Sequence, residues 1–171
     1  MKKLLIITTL ILVLMLGAAC SRKSVETVEL KHYPVDSLEG IISTSGLSLD
    51  TTVTSDGKGS LKVTTNKPTT VRLYETGDIE VEDTKLFYQA KLRTENVEGQ
   101  VYIEMYCHFP GQGEFFSRAQ RSSLSGTNNW TSQETPFILK KGQNPDNIKI
   151  NLVIKGKGTV WIDDIRLLKA S

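Results

Sequence analysis

Thiols and imidazoles are scarce: 171 residues carry two cysteines, Cys20 and Cys107, and two histidines, His32 and His108. Four such side chains, so placed, do not give the His/Cys spacing of a zinc or similar site. Cys107 also lacks a base. Its strand neighbour His108 points to the opposite face and His32 lies in the N-terminal region, so a cysteine nucleophile is not expected. No nucleophile elbow and no phosphate-binding glycine loop occur. An excess of one charge is missing too. Setting aside Lys2 and Lys3, which lie in a segment without acids, leaves 19 basic against 19 acidic residues. Such a chain has no net field to attract phosphate backbones, so nucleic acid is not an expected partner. Long apolar runs are limited to one, at the N-terminus. With 39% hydrophobic and 23% charged residues, the composition is that of a globular chain. The length suits one domain.

The N-terminus reads as an address. Met1-Lys2-Lys3 is basic, Leu4 to Leu16 is apolar but for Thr8 and Thr9, and Gly17-Ala18-Ala19 leads into Cys20. This order predicts an export signal over residues 1–19. The apolar run is shorter than the ~20 residues that a membrane-spanning helix needs. A Cys directly after small residues resembles the lipobox of bacterial lipoproteins. The resemblance implies cleavage before Cys20, acylation of its thiol and a lipid anchor in the membrane. Ser21, where some lipoproteins have Asp, resembles the pattern sent to the outer membrane of a diderm cell; in a monoderm cell the anchor would sit in the outer face of the cell membrane. With Cys20 acylated, Cys107 has no disulfide partner and reads as a small core residue. Residues 20–34 are polar and without a period, which predicts a tether.

From Leu47 onward the period is two. Leu47 and Leu49 alternate with polar residues, as do Leu61 and Val63, then Val71 and Leu73. Leu86, Tyr88, Ala90 and Leu92 alternate with Phe87, Gln89, Lys91 and Arg93. Val101, Ile103, Met105, Cys107 and Phe109 alternate with Tyr102, Glu104, Tyr106 and His108. Ile148 to Lys155 and Thr159 to Leu168 complete the series. Glu98-Gly99, Pro110 to Gly113, Ser125 to Asn128, Lys141 to Pro145 and Lys155 to Gly158 read as turns. No stretch of ten residues after the N-terminal segment has a helical period. The pattern predicts an all-β fold, an antiparallel β-sandwich or barrel of eight or nine strands, over residues 35–171.

Several segments carry a resemblance to a known family. They are Asp56-Gly57-Lys58-Gly59-Ser60-Leu61-Lys62-Val63, Leu92 to Gly99, Leu124 to Trp130, Pro136-Phe137 and the ending Gly158-Thr159-Val160-Trp161-Ile162-Asp163-Asp164-Ile165-Arg166-Leu167. Together, from Leu47 to Leu168, they resemble the galactose-binding-like jelly-roll domains of carbohydrate-binding modules. The resemblance implies a jelly roll and a carbohydrate or similar envelope polymer as ligand. It also implies a structural calcium held by Asp163 or Asp164, the Asp56 to Gly59 loop, and Asp36 or Glu39. Two or three acids with carbonyls and water would meet the 6–8 oxygens calcium takes. Trp130 and Trp161 fall on the family's packing positions.

Sugar sites combine flat aromatic faces with groups that pair hydroxyls. Tyr102, Glu104, Tyr106 and His108 share one strand face. Gln89, Lys91 and Arg93 lie on the polar side of the preceding segment. If the two segments pair as neighbours, aromatics, amide, cations and acid gather on one surface. One ring of Phe115-Phe116 must also face outward. The alternative is a solvated sheet face with no ligand, in an envelope module that docks a protein. Glu104, Glu114 and Glu134 are not placed by the sequence as a carboxylate pair across a cleft, so no enzyme is predicted.

Overall fold

Eight strands form, five of them over the period-two segments. The computed structural model describes residues 26–77 and 79–170. The export signal, Cys20 and the first part of the expected tether lie outside the described residues. The strands are β1 (Thr27–Tyr33), β2 (Leu47–Asp50), β3 (Ser60–Thr65), β4 (Thr69–Thr76), β5 (Lys85–Phe109), β6 (Gly113–Arg118), β7 (Leu124–Ile138) and β8 (Asn147–Ala170). A single 3₁₀ turn at Gln120–Ser122 is the only helical element among the described residues.

Two very long strands organise the fold. β5 and β8 run antiparallel from Lys85↔Ala170 to His108↔Asn147, with irregularities between Gln89 and Lys91 and between Glu95 and Glu98. The segments Leu86–Arg93 and Val101–Phe109, read above as separate strands, are two halves of β5. The glycines between them mark a corner at which the pairing continues. At that corner the ribbon folds over. The first half of β5 pairs with β7 and with the second half of β8, which also holds β1 and β3; β2 extends β3. The second half of β5 pairs with β6 and with the first half of β8, which holds β4.

The two layers close on one core. Leu86, Tyr88, Ala90 and Leu92 face inward from one layer, and Val101, Ile103, Met105 and Cys107 from the other. The Tyr88 hydroxyl crosses between them and donates to the Asn151 carbonyl at 3.4 Å. Each fully buried Leu or Ile contributes ~1.5–3 kcal/mol, which lets the sandwich stand without a disulfide. Cys107 is fully buried, and burial pushes its thiol up to about 12. It is a core residue and not a nucleophile.

The expected tether is partly strand. Residues 27–33 pair with Ile165 to Ala170 of β8. Their alternation is weak because the register slips between Glu29 and Lys31, and only Leu30 and Tyr33 reach the core. Tyr33 stacks on Tyr74 with centroids 4.0 Å apart.

Trp161 packs, as its position implied: it is 4% exposed, between Lys62 and Arg93. Its indole donates to Asp50 at 2.9 Å, and the same carboxylate accepts from the Thr52 hydroxyl and from the Thr52 and Val53 amides. The indole and these other donors hold Asp50 well below the usual carboxylate range. A depressed pKa gives stability that is present above the unfolded value and lost as pH falls. Asp50→Asn should therefore lower the melting temperature at neutral pH. The gap from the parent should close as the pH drops below about 4, where the unfolded carboxylate protonates. A gap that is constant with pH would show that the charge does not matter.

Candidate ligand-binding face

The second half of β5 sends every other side chain outward: Tyr102, Glu104, Tyr106 and His108. Register sets their neighbours. On β6, Arg118 lies beside Glu104, Phe116 beside Tyr106 and Glu114 beside His108. On β8, Val153, Asn151, Lys149 and Asn147 take the same order. Arg72 and Glu75 of β4 extend the row, because a bulge between Arg72 and Tyr74 turns Tyr74 into the core.

The centre of this face is an aromatic pair. The rings of Tyr106 and Phe116 lie 5.9 Å apart at 55°. Phe116 is 54% exposed; Phe115, 48% exposed, lies on the other side of its strand and packs edge-on against Phe109. The Arg118 guanidinium lies 3.8 Å from the Phe116 ring centroid. It also donates to Glu104, and to the Tyr106 hydroxyl at 3.4 Å. Glu104, nearly buried, is thus a charged anchor that fixes the arginine, and the arginine fixes the ring.

Paired charges surround the rings. Lys149 is bound to Glu114, His108 Nδ1 lies 2.5 Å from Asp146 Oδ1, and Arg72 donates to Glu75 at 2.5 Å. The Arg72 hydrogen bond holds the Glu75 carboxyl below its usual range, and Asn147 adds a donor at 3.4 Å. The face therefore combines exposed ring surface with hydroxyl-pairing groups, and the Lys149–Glu114 and Arg72–Glu75 charges cancel within their pairs.

The structure divides the residues that the sequence proposed. Tyr106 and His108 stand half-buried on the face. Tyr102 and Glu104 do not offer surface: they are 1% and 5% exposed and form its floor, with the Lys155 ammonium 5.8 Å from the Tyr102 ring. Gln89, Lys91 and Arg93 are not brought to this face. They lie on the outer side of the other layer, because the two halves of β5 are joined across the corner and do not pair side by side. There each meets a partner on β7: Gln89 with Glu134 at 2.5 Å, Lys91 with Ser132 at 2.8 Å and Arg93 with Asn129 at 3.0 Å. The sequence did not place Arg118 and Lys149, and it left open which ring of Phe115-Phe116 faces outward. The tight Phe109-to-Gly113 hairpin held the signal, since it alone sets Phe116 opposite Tyr106.

The acids that the resemblance assigned to calcium each have protein partners. Asp163 is fully buried and accepts the Ser55 and Asp164 amides, both at 2.7 Å; burial pushes its pKa upward against these two donors. Asp164 is taken by two basic groups, His32 at 2.9 Å and Arg166 at 2.8 Å. Asp56 caps the Lys58 amide, and Asp36 faces the Lys58 ammonium at 3.8 Å. Among the described residues, no three acidic, histidine or cysteine side chains gather where an ion could be held. Asp163 thus holds backbone amides, and Asp164 holds Arg166 and the His32 ring.

No protein-family model and no curated protein matches the chain. Its structure is similar to the CBM22-1 xylan-binding domain of a Paenibacillus barcinonensis protein, with a TM-score of 0.62 and 10% identity over 86% of this chain and 98% of that one. It is also similar to the CBM22-1 and GH10 modules of a Clostridium thermocellum endo-xylanase complexed with xylohexaose, with a TM-score of 0.58 and 11% identity over 81% of this chain and 28% of that one. A family 30 carbohydrate-binding module of a cellulosomal cellulase of Clostridium thermocellum gives a TM-score of 0.51 and 16% identity over 75% and 85% of the two chains. At these identities the likeness establishes the fold, the jelly-roll β-sandwich of carbohydrate-binding modules.

Proposed function

We propose that this chain is a non-catalytic polysaccharide-binding module of the cell envelope, anchored by acylated Cys20. The observation that carries the binding reading is the Tyr106–Phe116 pair, one ring more than half exposed and backed by the Arg118–Glu104 pair. Pyranose rings stack their C–H faces on such surfaces, and the Lys149–Glu114, His108–Asp146 and Arg72–Glu75 pairs supply donors and acceptors to hydroxyls. The fold shared with xylan-binding modules supports the same reading. Acylation rests on the Gly17-Ala18-Ala19-Cys20 segment. It would place the module in the outer membrane of a diderm cell, or on the outer face of the cell membrane of a monoderm one.

The test has two arms. Purified full-length protein in detergent is screened against insoluble polysaccharides and a glycan array, with calcium and with EDTA. Binding to a polysaccharide, with binding and melting temperature unchanged by EDTA, is expected. A well-folded protein that binds no glycan would overturn the reading and leave a protein partner in the envelope. A fall in melting temperature with EDTA would establish a bound structural calcium. In the second arm, Cys20→Ser should move the protein from the membrane to the soluble fraction. Membrane retention of that variant would refute the anchor.

A further inference from the structure

The Tyr106–Phe116 face, an aromatic platform, ends at a groove. After Arg118 the chain leaves β6, Ala119 donates to the Ile103 carbonyl at 3.0 Å, and the 3₁₀ turn carries it across the open side of the sandwich to β7. The Ser117 hydroxyl ties the two edges together, with Thr135 Oγ1 at 2.6 Å and the Pro136 carbonyl at 2.5 Å. Between them lies a groove of about 760 Å³ that Phe116, Arg118, Gln120, Arg121, Glu134 and Pro136 help to line. Phe116 and Arg118 thus belong both to the platform and to the groove.

The charges of the groove differ from those of the platform. On the platform, Arg72, Arg118 and Lys149 are each matched to a carboxylate. In the groove, Arg121 is exposed and has no anionic partner among the described residues, and the Gln120 amide beside it is also exposed. Glu134, a groove acid, accepts from the neutral Gln89 amide and keeps its charge, so Arg121 is the site for an acid and the Glu134 side is not. An open guanidinium beside an amide suits a carboxylate, which takes two parallel N–H donors.

We propose that this groove is a second subsite, which takes a carboxylate-bearing branch of a polysaccharide whose backbone lies on Tyr106 and Phe116. The backbone stacks on the neutralised platform, the branch turns over the β6 edge at Phe116, and Arg121 pairs its acid. This inference rests on the platform reading and adds the class of ligand: a glycan substituted with uronic acid.

The test is calorimetry of full-length protein in detergent with three xylan-type oligosaccharides. One is linear, one carries a single glucuronic acid branch, and one is the same branched compound with its carboxyl reduced to an alcohol. The acidic compound should bind about fivefold more tightly than the linear one, the upper end of what an exposed ion pair gives. Arg121→Ala should erase that gain and leave linear affinity unchanged. The reduced compound should match the linear one. Equal affinities for acidic and linear compounds, or a gain that survives Arg121→Ala, would overturn the inference. If none of the three binds while the array shows another glycan bound, this inference falls alone. If the array is also empty, the platform reading falls with it.

Discussion

Gly99→Ala is expected to leave little folded protein. Gly99 and Gly156 face one another across the β5–β8 corner, at φ values of 117° and 157°. A methyl group on Gly99 would overlap the Lys155 carbonyl, and one on Gly156 would overlap the Glu98 carbonyl. Both obstacles are backbone, so no rotamer change relieves them. Gly158 adds a third restriction, with a methyl there 2.8 Å from the Asn96 carbonyl and from Val97 Cα. The corner is therefore a backbone-to-backbone crossing that only glycine allows. Relief would require the two longest strands to move apart where they join the layers. The cost should exceed ~4 kcal/mol, a large part of the 5–15 kcal/mol that a domain has. Gly111→Ala is the control. It has a φ of 72° and nothing within 4 Å, so it carries only the dihedral cost of ~1–2 kcal/mol. Denaturant midpoints of the two variants separate the causes. Similar midpoints would mean that φ alone accounts for the glycines and that the crossing is looser than described.

The same glycines show how far the sequence could be read. Alternation from Leu47 onward carried the strand class and the inward set, because a period of two depends only on the local chain. It also carried the outward set of Tyr102, Glu104, Tyr106 and His108. Glu98-Gly99 and Lys155 to Gly158 looked like turns because a turn and a folded-over ribbon both interrupt the period. Whether pairing continues through the break depends on the opposite strand, and one strand's sequence does not contain it. That ambiguity put Gln89, Lys91 and Arg93 on the wrong surface. Burial posed a different limit. Tyr102 and Tyr106 are equivalent by period, yet one is floor and the other surface, since neighbouring strands decide the cover. β1 was hidden for a third reason: an edge strand with two inward anchors and a slipped register has almost no period to show.

Phe116→Ala should weaken polysaccharide binding by about 30-fold, the size of a ~2 kcal/mol hot-spot residue, while the melting temperature changes little. The ring is more than half exposed on an edge strand, so its removal opens no cavity. Tyr106→Phe separates stacking from hydrogen bonding. It keeps the ring and removes the hydroxyl that accepts from Arg118 at 3.4 Å, so it should cost a smaller factor. Arg118→Met tests the support beneath the ring. It removes the cation from Phe116 and leaves the carboxylate of Glu104 almost buried without its partner. Both affinity and stability should fall, and adding Glu104→Gln should restore stability without restoring affinity. That split follows from a rigid ring being what the ligand meets. If Phe116→Ala bound as tightly as the parent, the ligand would lie elsewhere, and the outer face of the opposite layer, with Lys91 and Arg93, would be the surface to mutate next.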